Sequence, residues 1–162
     1  MRGPIAPIMV HEALTRISEK RRTMKGPEEF CRSYGEATLD KTGREIARHY
    51  VYPFVSFTLG HVNTFTDRAH AEVGCRRQIA RYEHAGIGND IRLKDFEIVQ
   101  VCETSALCTL TWELFPTNGL PSFSWSNIYG YRRNTESEGF EFTIADNQIL
   151  ALTARVPDFF TL

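Results

Sequence analysis

Two long stretches of the chain alternate apolar and polar side chains, and this two-residue period constrains the fold more than any other feature of the sequence. The stretches are SALCTLTWELF, residues 105–115, and SFSWSNIYGYRR, residues 122–133. Successive side chains of a β-strand point to opposite faces of its sheet, so that every second residue shares an environment. The first row contains Ala106, Cys108, Leu110, Trp112 and Leu114, and the second contains Phe123, Trp125, Asn127, Tyr129 and Tyr131. We therefore predict two long strands with one apolar face each, and an amide, Asn127, within an aromatic row.

The remaining segments place helices before the long strands. Pro27 with Glu28 and Glu29 is typical of the first turn of a helix, and Thr66-Asp67 offers an N-terminal cap to a later helix. The predicted helices cover about residues 27–37, 44–50 and 68–85, a short hairpin with a turn at Gly60-His61 covers 53–65, and further strands cover 91–101 and 140–145. This order of elements predicts an α+β domain in which consecutive long strands pair antiparallel.

The two ends of the chain differ in character from its middle. Residues 1–26 hold six Lys/Arg and two Asp/Glu, whereas the rest of the chain holds 13 and 18. We interpret residues 1–26 as a basic N-terminal arm, with a marginal helix over Val10–Arg22, and residues 27–162 as one domain with a C-terminal tail. Residues 147–156 alternate like a strand but also fit a helix that begins near Asp146 and ends at Pro157, and we favour the helix.

Composition and charge exclude several classes of function. The net charge of −1 offers no field that would attract nucleic acid, and no run of 18 apolar residues exists that could span a membrane. The start of the chain lacks the apolar core and cleavage site of a secretory signal, so we expect a cytoplasmic protein. The four cysteines have no C-x-x-C spacing and are predicted to be reduced, mostly buried thiols. No motif for a metal or another cofactor occurs, and we expect none.

An α+β chain of this kind is expected to form a cone-shaped, curved antiparallel sheet that wraps around three N-terminal helices and leaves one end open. The order of elements, with Thr66-Asp67 opening the third helix and four meandering strands after it, resembles the nuclear transport factor 2-like superfamily over about residues 27–145. That superfamily has a cystatin-like α+β barrel and includes ketosteroid isomerases, SnoaL-type polyketide cyclases, scytalone dehydratase and limonene epoxide hydrolase. The resemblance implies a small apolar ligand in the cone and a homodimer that pairs through the outer face of the sheet.

The ketosteroid isomerases use three positions, and the resemblance implies candidates for two of them. The segment CRSYGEATL places Tyr34 where a tyrosine on the first helix would donate to the substrate oxygen. Asn127 stands on the penultimate strand, where the isomerases have a protonated carboxylic acid. The isomerases also carry a carboxylate base near the first strand, but YVYPFVSFTLGH, residues 50–61, contains no Asp or Glu. His61 is the nearest titratable side chain, and an imidazole accepts a proton near neutral pH.

The candidate site residues follow from these two lines of reasoning. The candidate catalytic residues are Tyr34, His61 and Asn127, and the candidate ligand-binding residues are Trp112, Trp125 and Tyr129. An amide donates to a ligand carbonyl at every pH, but a strand asparagine also satisfies backbone groups or crosses a dimer contact. Three functions stay open: an enzyme of the isomerase or cyclase type that acts on an apolar ligand, a binding module without chemistry, and a dimeric interaction protein whose pocket is vestigial.

Overall fold

A computed structural model describes residues 25–161 and divides them into four helices and one six-stranded sheet. The elements are α1 (Pro27–Ala37), α2 (Arg44–Arg48), β1 (Tyr50–Thr58), β2 (His61–Phe65), α3 (Arg68–His84), β3 (Ile91–Cys102), β4 (Ser105–Leu114), β5 (Phe123–Arg133), β6 (Glu138–Ile144) and α4 (Asp146–Arg155). The predicted α+β class is confirmed. The predicted helix over Val10–Arg22 and most of the arm lie outside the described residues. None of the helices in residues 25–161 is long and apolar enough to cross a membrane, and the cytoplasmic location stays a prediction.

The sheet is curved and open, with the order β2-β1-β6-β5-β4-β3 and with β2 and β3 at its edges. Strands β3 to β6 form an antiparallel meander, because a short turn or loop joins each strand to the next. Strand β1 instead runs parallel to β6, with Val55 opposite Phe142 and Phe57 opposite Ile144. This pair is an exception to the antiparallel pairing expected of the sheet, which the long strands β3 to β6 follow. The direction of β6 is fixed by the meander that begins after α3 and not by β1.

The two alternating rows face the helices, as the sequence predicts. All ten residues of these rows are buried. The register places Trp112 opposite Trp125 and Leu110 opposite Asn127, so the amide lies between aromatic neighbours on the inner face. Helix α1 packs against β3 and β4, and α4 packs against β5. The inner face of the sheet therefore holds the core.

Local signals set the ends of α2 and α3. Asp67 caps α3, since its side chain accepts a hydrogen bond from the backbone N–H of His70 at 2.9 Å. Helix α2 ends at Arg48, two residues before its predicted end, because Tyr50 already belongs to β1. Pro53 lies inside β1, where the register between β1 and β6 shifts and a missing N–H is tolerated.

The hairpin β1–β2 and the start of α4 are tied together. Leu59 and Gly60 form the turn, both with positive φ, so His61 is the first residue of β2 and not part of the turn. The backbone N–H of Leu59 donates to the Asp146 carboxylate at 2.6 Å. Asp146 therefore anchors the hairpin, and the N-cap position of α4 belongs to Ala145. The helix predicted for the tail is nevertheless confirmed.

Candidate functional site

A cavity of about 720 Å³ lies between the inner face of the sheet and the helices. Nine aromatic side chains contribute to its wall: Tyr34, Tyr50, Phe54, Phe65, Tyr82, Trp112, Trp125, Tyr129 and Phe160. All six candidate residues line it: Tyr34 from α1, His61 from β2, Trp112 from β4, and Trp125, Asn127 and Tyr129 from β5. A cavity of this volume suits a drug-sized molecule. The structure thus brings the candidates to one site, where their roles stay predictions.

Asn127 is one end of a chain of side-chain hydrogen bonds. Its side chain is only 2% exposed, because it shares a strand face with Trp125 and Tyr129. Asn127 Nδ2 donates to Gln148 Oε1 at 2.9 Å, and Gln148 Nε2 donates to Tyr82 Oη at 2.8 Å. The partners come from α4 and α3, so the chain joins the sheet to two helices. Sequence reasoning missed this pairing, because no local motif distinguishes Gln148 or marks Tyr82 as its partner.

The tyrosines of the wall form a second polar group. Tyr34 Oη and Tyr50 Oη lie 3.0 Å apart, and the ring centres of Tyr34 and Tyr129 lie 5.4 Å apart. Burial raises the pKa of Tyr34 and of Tyr50 well above the ordinary value, and burial also raises the pKa of Tyr129. These hydroxyls therefore stay protonated at neutral pH, and a protonated hydroxyl is able to donate to a ligand oxygen.

Four buried polar atoms in the cavity wall make no hydrogen bond of ordinary geometry within residues 25–161, although those of Trp112, Asn127 and Thr143 belong to residues that lie near the Tyr129 hydroxyl. They are Trp112 Nε1, Trp125 Nε1, Asn127 Oδ1 and Thr143 Oγ1. Buried polar groups in proteins are nearly always paired, and leaving one unpaired costs about 1–3 kcal/mol. Two indole donors, an amide acceptor and a hydroxyl in one wall therefore mark where a bound molecule or an ordered water would find partners.

The wall is poor in groups that could transfer a proton. No Asp or Glu is among the described residues that line the cavity. His61 lies exposed at the rim of the cavity, and its imidazole could serve as a base in place of a carboxylate. Cys75 offers no ready nucleophile, since burial raises the pKa of its thiol to about 11. In the part of the chain that the structure describes, no group of three or more His, Cys, Asp or Glu side chains could hold a metal ion.

A curved, open sheet with helices over its inner face and an aromatic cavity between them defines a nuclear transport factor 2-like fold. Residues 27–146 match the family model described as NTF2-like protein (DUF6841), and the chain belongs to that family. The resemblance seen in the sequence is thereby confirmed. A comparison with curated protein sequences gave no match.

Solved structures share the fold at low sequence identity. An NTF2-like protein with a cystatin-like fold from Novosphingobium aromaticivorans is 16% identical, with a TM-score of 0.56 over 87% of this chain and 90% of that chain. A domain with a cystatin-like fold from Nostoc punctiforme is 14% identical, with a TM-score of 0.57 over 83% of each chain. A hypothetical protein with a ketosteroid isomerase-like fold from Catenulispora acidiphila is 10% identical, with a TM-score of 0.50 over 72% of this chain and 83% of that chain. These similarities establish the fold.

Proposed function

We propose that this protein binds a small molecule with a large apolar body in the cavity. The observation that carries the proposal is the composition of the wall, in which aromatic rings surround four polar atoms without partners in the described protein. A ligand that buries roughly 300 Å² of apolar surface would gain about 7 kcal/mol before the cost of association. The polar atoms would then fix its orientation. The structure of the Catenulispora acidiphila protein contains trimethylamine, which supports a small-molecule role for the fold.

Tryptophan fluorescence is a direct test, because both tryptophans of the chain, Trp112 and Trp125, line the cavity. We expect the uncharged apolar probe 1-pyrenebutanol to accept excitation energy from them and to saturate at one probe per chain. The Ser56→Phe variant would fill part of the cavity, since Ser56 lines the wall from β1. This variant should weaken the binding of 1-pyrenebutanol by about tenfold or more, which corresponds to a loss of about 1.4 kcal/mol in the free energy of binding.

Val55→Phe is the matched control for this experiment. Val55 precedes Ser56 in β1, lies opposite Phe142 in the register and is not part of the cavity wall. This variant adds the same ring on the outer face and should bind the probe as the wild type does. The proposal is wrong if the wild type shows no saturable energy transfer, or if Ser56→Phe binds the probe as tightly as Val55→Phe.

A second candidate function is proton transfer on a bound ketone, as in the isomerases. The observation that favours it is that Tyr34 and His61 line the same cavity. A protonated tyrosine would stabilise the developing charge on the ketone oxygen, while the imidazole would accept a proton from the adjacent carbon. His61 would then replace the carboxylate base, which no described residue of the wall supplies.

Deuterium exchange into 2-tetralone, followed by NMR in D₂O, tests this second candidate. The wild type should accelerate exchange at the carbon next to the carbonyl, and His61→Asn should abolish the acceleration. His70→Asn is the control, because His70 is exposed at the start of α3 and is not part of the cavity wall. Equal exchange rates in the two variants, or no acceleration by the wild type, would rule out His61 as the base.

We also propose that two copies of the chain pair through the outer face of the sheet. The register aligns Val62 with Phe57, Phe57 with Ile144, and Ile144 with Ile128, a row of apolar side chains across four strands. Thr109 continues the row opposite Ile128. The four apolar side chains are exposed in the single chain, and contiguous apolar patches on a protein surface often mark interaction sites.

Light scattering at micromolar concentration tests the pairing. The wild type should have twice the mass of one chain, and Ile128→Asp should have the mass of one chain because it places a charge in the apolar row. Leu39→Asp is the control, since Leu39 is also exposed but follows α1 and is not part of the apolar row. A wild-type protein with the mass of one chain would remove this proposal, as would two variants that behave alike.

A further inference from the structure

Arg81 is the one Lys or Arg side chain among the described residues of the cavity wall. It belongs to α3 and is partly buried. Its Nη1 donates to Gln78 Oε1 at 3.5 Å, a long contact, and its guanidinium carbon lies 5.4 Å from the centre of the Phe160 ring. Gln78 and Phe160 also line the cavity. The guanidinium is therefore held at the wall by weak contacts that leave most of its donors unused.

Arg81 also lacks a carboxylate partner in the described structure. None of the ion pairs within residues 25–161 includes it, whereas Arg44, Arg92 and Arg132 each pair with a carboxylate. A guanidinium carries five N–H donors in a planar fork that fits both oxygens of one carboxylate. Because no Asp or Glu of residues 25–161 lines the wall, its positive charge and free donors favour an anionic group supplied by a ligand.

We propose that Arg81 binds the carboxylate of an amphipathic ligand whose apolar body fills the cavity. The proposal rests on the proposed binding function and names its ligand class. Charge complementarity supports it, because the wall combines the Arg81 guanidinium with two unpaired indole N–H groups and contributes no carboxylate from the described residues. The partly exposed position of Arg81 places the ligand carboxylate near solvent, which reduces the cost of removing its water.

The test compares 1-pyrenebutyrate with 1-pyrenebutanol, which share the pyrene ring and the chain length and differ in charge. Arg81→Gln should weaken the butyrate by about tenfold or more, the loss expected for a hydrogen-bonded charge, and should leave the butanol affinity within about twofold. Arg81→Lys should lose less of the butyrate affinity than Arg81→Gln, because it keeps the charge. In the wild type, added salt should weaken the binding of 1-pyrenebutyrate but not that of 1-pyrenebutanol.

Arg77→Gln is the matched control, since Arg77 is exposed on the same helix and is not part of the cavity wall. It should bind both probes as the wild type does. If Arg81→Gln keeps the butyrate affinity, or weakens both probes equally, the carboxylate proposal is overturned, while butanol binding by the wild type still supports the proposed function. If the wild type binds neither probe, both proposals are overturned.

Discussion

Replacement of Asn127 by Asp tests whether this position lies in a dry wall. The two side chains have nearly the same shape, but Asp replaces the Nδ2 donor with an ionisable oxygen. In the wild type that donor bonds to Gln148 Oε1 at 2.9 Å, and the side chain is 2% exposed. An ionised carboxyl at this position would face the Gln148 oxygen and lose the bond, whereas a protonated carboxyl is able to donate to it. Both burial and the local hydrogen bond therefore favour the neutral form.

The magnitude follows from the shift in proton affinity. Burial raises the pKa of the introduced carboxyl above the ~3.9 of an exposed Asp, and a rise to ~7 is typical of a buried carboxyl. Because the folded-state pKa lies above the unfolded one, the cost of ionisation is absent below about pH 4 and grows as the pH rises. It reaches about 4 kcal/mol above the folded-state pKa. Between about pH 5 and about pH 8, the free energy of unfolding should fall by about 2.5 kcal/mol relative to the wild type.

Urea unfolding of the wild type and Asn127→Asp at these two pH values measures the difference. Ser124→Asp is the control, because Ser124 is exposed on the outer face of the same strand. The loss in the free energy of unfolding caused by Ser124→Asp should change little between the two pH values. The reasoning is refuted if Asn127→Asp loses the same free energy at both pH values or loses none at the higher one, since the introduced carboxyl would then be hydrated.

Two further predictions concern the outer face and the thiols. Gly130→Ala should lower the free energy of unfolding by about 1–3 kcal/mol, because the added methyl group would overlap the Phe142 ring. Urea unfolding of the double variant Gly130→Ala/Phe142→Ala tests this cause, and a double variant that recovers none of the loss would contradict it. Iodoacetamide near neutral pH should label Cys102 well before Cys75. A hydrogen bond with the Ser105 hydroxyl lowers the pKa of Cys102 to about 7, whereas burial raises the pKa of Cys75 to about 11. Peptide mass spectrometry gives the order of labelling, and equal labelling rates in the folded protein would contradict the prediction.

The faces of β4 and β5 can be predicted from the sequence, because one register alone buries Trp112, Trp125 and their row together. The tail shows the limit of the same argument. Leu150 and Leu152 alternate as in a strand, yet Leu152 is fully buried while Leu150 is 54% exposed in α4. Alternation over so few residues fits both periods, and the packing of α4 against β5 decides between them.

The hydrogen-bond partners in the site could not be predicted. Asn127 and Gln148 are 21 residues apart, and Gln148 and Tyr82 are 66 residues apart, so that only the packing of α3 and α4 brings them together. The parallel pairing of β1 with β6 is equally non-local. The cysteines are predicted to be mostly buried: Cys31 and Cys108 are buried and Cys75 is partly buried, whereas Cys102 is exposed because it lies at the end of β3 and outside any apolar row.

The amide of Asn127 and the absence of Asp and Glu from the described residues of the wall both bear on whether the cavity binds a ligand or transforms it. The sequence suggested that Asn127 would donate to a ligand carbonyl; one of the two N–H donors on its Nδ2 is bonded to Gln148, and within residues 25–161 the atom with no partner is its acceptor oxygen. A ligand oxygen would instead meet the indole N–H groups or the hydroxyl of Tyr34. Asn127 would then select a ligand hydroxyl or N–H group. Fixed donors and acceptors without a carboxylate base orient a ligand more readily than they remove a proton from it. For this reason binding is the first proposal, and chemistry at His61 is the second.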